Sequence, residues 1–311
     1  MTVRTLHSLR QLAYLDALAE KLNFTQAAES CFVTQSTLSA GIQELERLLD
    51  VQLVERDRQR VRLTPVGEEV LARARPLLAG ARDLAEWVAR AARPMTGLVR
   101  LGAIPTVAPF LLPGLLREAR EALPELRIAL REDRTGTLLE LLRAAELDFA
   151  MIALPYDTEG LLVEELFDDN LWLVEPRTDG GEDLRRGRAV EVSRIDPERL
   201  LLLEEGHCLR GHALGACGIA DRPNPSGLAA TSLPTLLQMV EAGLGVTLLP
   251  GMAVRSNFFE ASAVVARPLA PPSPPRRIAL VTRASTPRRA EFEAIAGLAR
   301  PLGKPGRGRR A

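Results

Sequence analysis

Cys208 and Cys217 lie nine positions apart and are two of only three cysteines in 311 residues. The first follows Gly206 and His207, with Arg210 two positions on. A neighbouring imidazolium or guanidinium lowers a thiol pKa toward the reactive thiolate, so Cys208 is expected to attack and Cys217 to resolve. Spacing sets a condition on that chemistry. Nine helical steps of about 1.5 Å separate a pair of Cα atoms by roughly 13 Å, whereas a disulfide holds them within about 7 Å. If the segment is helical, joining the thiols demands local refolding, which suits a switch better than a scaffold.

Two other chemistries compete for these residues. Most buried cysteines are inert small hydrophobes. His207, Cys208, His212 and Cys217 also crowd four donors acceptable to zinc into one segment. Their spacing matches no familiar zinc pattern, no Cys-x-x-Cys is present, and adjacent His-Cys side chains do not chelate one ion from a single helix face. No metal site and no cofactor are expected.

The host of this segment is long enough for two or three domains. Forty basic residues balance forty acidic ones for a formal net charge of +0, so any basic surface is local. An odd number of cysteines argues against a secreted disulfide framework. The first ten residues run into an amphipathic helix rather than the apolar core of a signal peptide. No stretch approaches the roughly 18 apolar residues of a membrane span. A soluble, cytoplasmic chain without membrane contact is expected.

The first third reads as compact and helical. Leu6, Leu9, Leu12, Leu15 and Leu18 share one helix face. Thr25 is the expected N-cap of a short second helix, with Phe32 and Val33 packing at the following turn and Cys31 structural. In the next helix Leu38, Ile42 and Leu45 point inward. Thr34, Gln35, Ser36, Ser39 and Gln43 offer hydrogen-bonding groups near its N-terminus, the end that a helix-turn-helix protein presents to the major groove. Arg56, Arg58, Arg60 and Arg62 alternate around an expected hairpin, a wing against backbone phosphates. Thr64-Pro65 then opens a long helix. Its apolar stripe from Val66 to Ala92 runs past Pro76, and a second copy of the same helix is the simplest cover for it.

Beyond a hinge at residues 93–97, strands and helices alternate. Strands are expected at 98–103, 127–132 and 148–153, with helices at 111–122 and 138–145, which implies a parallel α/β sheet. A second lobe begins at Leu171–Val174, includes an irregular polar stretch at 177–188 and a helix capped around Thr231 to Thr235, and closes at Gly243–Pro250. Residues 277–282 look like a strand returning to the first lobe. Loops at Pro105-Thr106 and Arg134-Thr135-Gly136 are where such sheets place ligands. The expected division is a winged helix-turn-helix at 1–63, a linker and dimerisation helix at 64–93, a two-lobed α/β sensor resembling periplasmic binding proteins at 94–302, and a disordered basic tail at 303–311.

With these residues in view the chain resembles the LysR-type transcriptional regulators. Phe24-Thr25-Gln26-Ala27-Ala28, Thr34-Gln35-Ser36-Thr37-Leu38-Ser39 and Leu63-Thr64-Pro65-Val66-Gly67 match the DNA-binding end of that family. Gly206-His207-Cys208-Leu209-Arg210 with Cys217, Ala230-Thr231-Ser232-Leu233 and Gly243 to Pro250 resemble its peroxide-sensing OxyR branch. The likeness covers nearly the whole chain apart from the tail. It implies that hydrogen peroxide oxidises Cys208 to a sulfenic acid, that Cys217 closes a reversible disulfide, and that Thr106, Thr135, His207 and either Arg276 or Arg277 line the peroxide pocket. It implies double-stranded promoter DNA, a homodimer or homotetramer and RNA polymerase as partners. The chain departs from the branch at Gly211, where a more polar residue is expected, at His212 in place of glutamine, and at Ala216 in place of an aromatic.

Two alternatives stay open. The cleft between lobes could sense a small metabolite, with the cysteines incidental. A thiol peroxidase would leave the DNA-binding third without a role, so an enzyme is not expected.

Overall fold

The computed structural model describes residues 8–57, 60–90, 95–177, 189–219, 228–256, 258 and 262–303. The expectations for Leu6, Arg58, Ala92, most of the polar stretch at 177–188 and the tail beyond Gly303 fall outside these residues. Two compact units are distinguished, the first ending at Ala89.

The first unit comprises α1 (Leu9–Lys21), α2 (Phe24–Ser30), α3 (Gln35–Leu49), β1 (Val54–Asp57), β2 (Arg60–Leu63) and α4 (Pro65–Arg90). Ser8 and Gln11 form a capping box at the start of α1. Leu12, Leu15 and Leu18 then bury against Leu38, Ile42 and Leu45 of α3, while Leu9 is half exposed. Two expectations are corrected here. Asn23, not Thr25, caps α2, accepting hydrogen bonds from the amides of Thr25 and Gln26. Phe32 does not pack: it takes a left-handed φ of 55° and is 96% exposed, because the turn into α3 projects it outward. Cys31 is partly buried against the core.

β1 and β2 form an antiparallel hairpin that pairs Glu55 with Arg62 and Arg56 with Val61. The Arg62 side chain is exposed, whereas those of Arg56 and Arg60 lie outside the described residues. α4 runs through Pro76. Leu71, Ala74 and Leu78 join the core of the unit, Arg75 meets Asp16 of α1 at 3.0 Å, and Leu77, Leu84 and Val88 face outward.

The second unit begins with β3 (Gly97–Ala103), α5 (Ala108–Ala122), β4 (Leu126–Glu132), α6 (Thr135–Arg143), β5 (Phe149–Leu154) and β6 (Leu161–Asp169). It continues with β7 (Leu171–Pro176), β8 (Leu202–Leu203), α7 (Cys208–Ala216), β9 (Ala229–Ala230), α8 (Leu233–Glu241), β10 (Thr247–Pro250), α9 (Gly251–Arg255) and β11 (Val264–Pro268). β12 (Arg276–Arg283) and α10 (Arg289–Gly303) close it.

The first lobe is a five-stranded sheet ordered β4-β3-β5-β12-β6. The three strands expected from the strand–helix alternation, β3, β4 and β5, are parallel, and the returning strand β12 runs antiparallel to both β5 and β6. The chain leaves this lobe at Asp169 and comes back at Arg276, and these two residues are paired in register, so β12 has to run opposite to β6. The second lobe holds an antiparallel sheet ordered β10-β7-β11 and a parallel pair, β8-β9. Each lobe has its own apolar core, and Phe110 packs against both. Among the described residues no helix is long and apolar enough to cross a membrane.

Gly67 illustrates how tightly the first unit closes. Its amide donates to the Thr64 hydroxyl at 2.9 Å, and a Cβ added at this position would lie 2.2 Å from the Leu53 carbonyl oxygen. Backbone on both sides leaves no flexible atom to yield. Gly67→Ala is expected to destabilise this unit by about 1–3 kcal/mol, read by chemical denaturation; an unchanged midpoint would contradict the close approach.

Candidate functional site

The site is built where α7 of the second lobe meets the strand ends of the first. After β8 the chain turns through Gly206, whose φ of +88° belongs to the left-handed region that glycine adopts without steric cost. His207 occupies the N-cap position without a side-chain cap bond, and Cys208 is the first residue of α7. Cys217 is the C-cap of the same helix. Leu209, Ala213 and Leu214 are buried in the second-lobe core, while Cys208 packs against the core of the first. One short helix is thereby shared between two lobes.

Around Cys208 the first lobe supplies polar groups that are almost wholly buried. Arg276, at the start of β12, has no solvent exposure. Its Nη1 donates to Thr106 Oγ1 at 3.1 Å and its Nη2 to Asp169 Oδ2 at 3.2 Å. Thr135, the first residue of α6, is 1% exposed; its hydroxyl has no hydrogen-bond partner among the described residues and, close to Cys208, favours the thiolate. Arg277, the alternative to Arg276, is placed elsewhere: it points to solvent and pairs with Glu165 at 2.8 Å. Successive side chains of a strand face opposite sides, so only one of the two arginines can reach the site.

The ring against the thiol is His212, not His207. His212 lies beside Cys208, and its Nδ1 and Nε2 are 2.7 Å from the Cys208 carbonyl oxygen and 2.9 Å from that of Leu154. The signal for this contact is present in the sequence, since residues four apart share a helix face. His207 lines the same cleft and is nearly buried. Burial, reinforced by the charge of Arg134 and opposed by Glu204, lowers its pKa and favours the neutral ring.

The two thiols differ in their electrostatics. Burial opposes ionisation of Cys208, but the neighbouring His212 ring, the charge of Arg276 and the nearby Thr135 hydroxyl outweigh it and hold the pKa below the ordinary thiol value. A helix N-terminus favours the same anion. Burial alone raises the pKa of Cys217. Among the described residues no group of three His, Cys, Asp or Glu side chains could hold a metal ion.

Cys208 opens on a cleft of about 820 Å³ that is also lined by Tyr156, Gly211, His212, Gly215 and Pro275. A Cβ added at Gly211 or Gly215 would meet nothing within 4 Å. The missing polar side chain at 211 thus leaves open space beside the thiol.

In the first unit, the Thr34 side chain caps α3, accepting from the Thr37 amide at 3.2 Å. Thr34, Gln35, Ser36 and Gln43 are exposed and Ser39 is half-buried, so one end of α3 offers a cluster of hydrogen-bonding groups.

Residues 9–68 match the bacterial regulatory helix-turn-helix proteins of the lysR family, and residues 92–302 match the LysR substrate binding domain. The chain belongs to the LysR family of transcriptional regulators. As such it is a DNA-binding regulator rather than an enzyme. This LysR-type regulator is 49% identical over 287 residues to the HTH-type transcriptional regulator EstR of Acinetobacter baylyi, covering 92% of this chain and 94% of that protein. It is 37% identical over 285 residues to the DNA-binding transcriptional dual regulator OxyR of Escherichia coli, covering 92% of each. A full-length OxyR variant from Pseudomonas aeruginosa superposes with a TM-score of 0.74 at 34% identity, covering 95% of this chain and 98% of that one.

The contrast between the thiols is directly measurable. Because the thiolate is the reacting form, iodoacetamide is expected to modify Cys208 at neutral pH at least about tenfold faster than Cys217. As pH falls below the ordinary thiol value, the Cys208 rate should persist while that of Cys217 declines. Equal rates with parallel pH profiles, followed by peptide mapping, would contradict the assigned electrostatics.

Proposed function

We propose that this LysR-type regulator senses hydrogen peroxide through Cys208 and Cys217 and passes the signal to promoter DNA. The observation that carries the proposal is the setting of Cys208. It is the first residue of a helix, it has His212 and Thr135 as polar neighbours, and it lies in the field of the buried Arg276, with the second thiol at the far end of the same helix.

The Cys208 thiolate attacks one peroxide oxygen; an S–O bond forms, the O–O bond breaks, and the departing oxygen takes up a proton to leave as water. Arg276 and Thr106 would stabilise the charge that moves onto that oxygen. The Cys217 thiol then attacks the sulfenic sulfur, forming the S–S bond and releasing a second water. About 13 Å of helix separates the Cα atoms against a limit of about 7 Å, so α7 has to unwind before the bond closes.

The helix is poorly made for resisting this. Gly211 and Gly215 lie inside it, each costing roughly 0.5–1 kcal/mol relative to alanine. Unwinding withdraws Cys208 from the first lobe and would alter how the sensor units of two or four subunits pack. The outward row of Leu77, Leu84 and Val88 on α4 supports a second copy as its cover. We place DNA recognition on Thr34, Gln35, Ser36, Ser39, Gln43 and the arginines 56, 58, 60 and 62, with RNA polymerase as downstream partner and the cytoplasm as the working compartment. The working segments are 1–63, 64–93 and 94–302.

A second reading keeps the same architecture but takes a small organic effector in the cleft beside Cys208. The cleft is far larger than peroxide needs, and the likeness to EstR favours no oxidant. Both readings meet one experiment: reduced protein is treated with one equivalent of hydrogen peroxide and its thiols are mapped by mass spectrometry. A rapidly formed Cys208–Cys217 disulfide, abolished by Cys208→Ser, is expected. Free thiols throughout, with promoter binding unaltered by peroxide, would overturn the redox reading and leave the effector one.

A further inference from the structure

The environment of His212 carries an inference that rests on, and deepens, the peroxide-sensing reading. Both ring nitrogens point at backbone carbonyl oxygens, Nδ1 at Cys208 and Nε2 at Leu154. A carbonyl oxygen only accepts hydrogen bonds, and a neutral imidazole has one N–H to give. Whichever tautomer it adopted, a neutral ring would turn its remaining lone pair toward the other carbonyl oxygen at a separation below 3 Å. Only the imidazolium satisfies both contacts. The two carbonyls also belong to different lobes, since Leu154 ends β5 of the first and Cys208 opens α7 of the second.

We propose that His212 is the charged clamp and proton donor of the switch: as an imidazolium it pairs with the Cys208 thiolate and staples α7 to β5, and on giving up its proton it releases that staple. Atoms and charge balance in this step. Cys208 thiolate, peroxide and imidazolium become sulfenic acid, water and neutral imidazole; the S–O bond forms, the O–O bond breaks, and the ring proton goes to the departing oxygen. The neutral ring keeps one N–H for two carbonyl acceptors, so one of its two contacts is lost at the moment α7 has to come free. Chemistry and unwinding are thereby joined through one proton.

The charges around the ring are consistent with this role. Burial works against the imidazolium, but the hydrogen bonds to Cys208 and Leu154 outweigh it and raise the His212 pKa; Arg276 on β12 opposes. Arg276 is itself paired with Asp169. Glu205, His207, Arg210 and Tyr156 complete the titratable and charged groups lining the adjoining cleft, and Glu205 is the acid among them. The Cys208 value is lowered and the His212 value raised, so both shifts run in the direction that an ion pair requires.

The test uses reduced full-length protein. The chain has three histidines, and the His212 signals in nitrogen NMR are identified as those lost in His212→Gln. Both of its nitrogens should be protonated at neutral pH in the reduced state and one of them after peroxide treatment. A ring that is neutral in the reduced state overturns the proposal. In a Cys31→Ser, Cys217→Ser background, His212→Gln should slow iodoacetamide modification of Cys208 about tenfold at neutral pH, for a thiol pKa raised by about one unit. Its reaction with peroxide should slow by about a further hundredfold, because a positioned proton donor is also lost. Equal slowing of the two reactions would overturn the proton-donor role, and unchanged rates would overturn the ion pair. Alkylation and the NMR of the reduced state do not involve peroxide. If they report the ion pair while the thiol ignores peroxide, it is the sensing function that fails; if the thiol reacts rapidly beside a neutral ring, it is the clamp.

Discussion

A guanidinium with no exposure to water is the constraint on which the sensor depends. Removing an ion from solvent carries a penalty of several kcal/mol unless partners replace the lost hydration, and Arg276 finds those partners in Asp169 and Thr106. Asp169 is equally buried. It accepts from the Met252 amide at 2.9 Å, and Arg255 lies 3.6 Å from it. Burial raises its pKa while Arg276 and Arg255 draw it down. These contacts fall where the chain passes between lobes, since Asp169 ends β6 and Arg276 begins β12. A single ion pair thus pins the crossover and fixes a positive charge in the field of Cys208.

Against that rigid partner α7 is a weak element. It has no side-chain cap and two interior glycines, and its apolar anchors in the second lobe are Leu209, Ala213 and Leu214, with Ala216 and Cys217 packed at the edge. Its first residue is held instead by the first lobe, through the contacts of the Cys208 thiol and the His212 ring. Those are the interactions that oxidation of the thiol changes. A helix held at one end by packing and at the other by polar contacts of its first turn can exchange one anchorage for another, which is what the proposed switch needs.

Much of this is legible in the residues alone. The leucine stripe of α1, the inward Leu38, Ile42 and Leu45 of α3, the Thr64-Pro65 opening of α4 and the two-lobed α/β architecture follow from periodicity and capping rules. What escapes is tertiary. Arg276 and Arg277 are adjacent basic residues, and which of them faces inward depends on the register of β12, set by its neighbours rather than by its own sequence. β6 goes unread in the sequence because Leu161 to Asp169 runs as apolar and acidic blocks without the period-two alternation of a strand. Thr25 is the expected cap of α2, yet Asn23, a stronger capping type, stands two residues earlier. His212 stands out as a departure and as a candidate metal ligand, but its contact with Leu154 spans lobes and no local rule reaches that far. Phe32 is expected to pack because aromatics usually bury, while the left-handed turn at that residue turns it outward.

The central claim is that disulfide formation requires α7 to unwind, and hydrogen exchange tests it most directly. In the reduced protein the amides of α7 and its cap are bonded within the helix, Cys217 to the Ala213 carbonyl and Ile219 to that of Leu214. With one equivalent of peroxide, exchange across residues 208–219 should accelerate sharply in the native sequence and stay slow in Cys217→Ser, which cannot close the bond. A quantitatively formed disulfide with undiminished protection across α7 would contradict the claim and require the two cysteines to meet by a movement that leaves the helix intact.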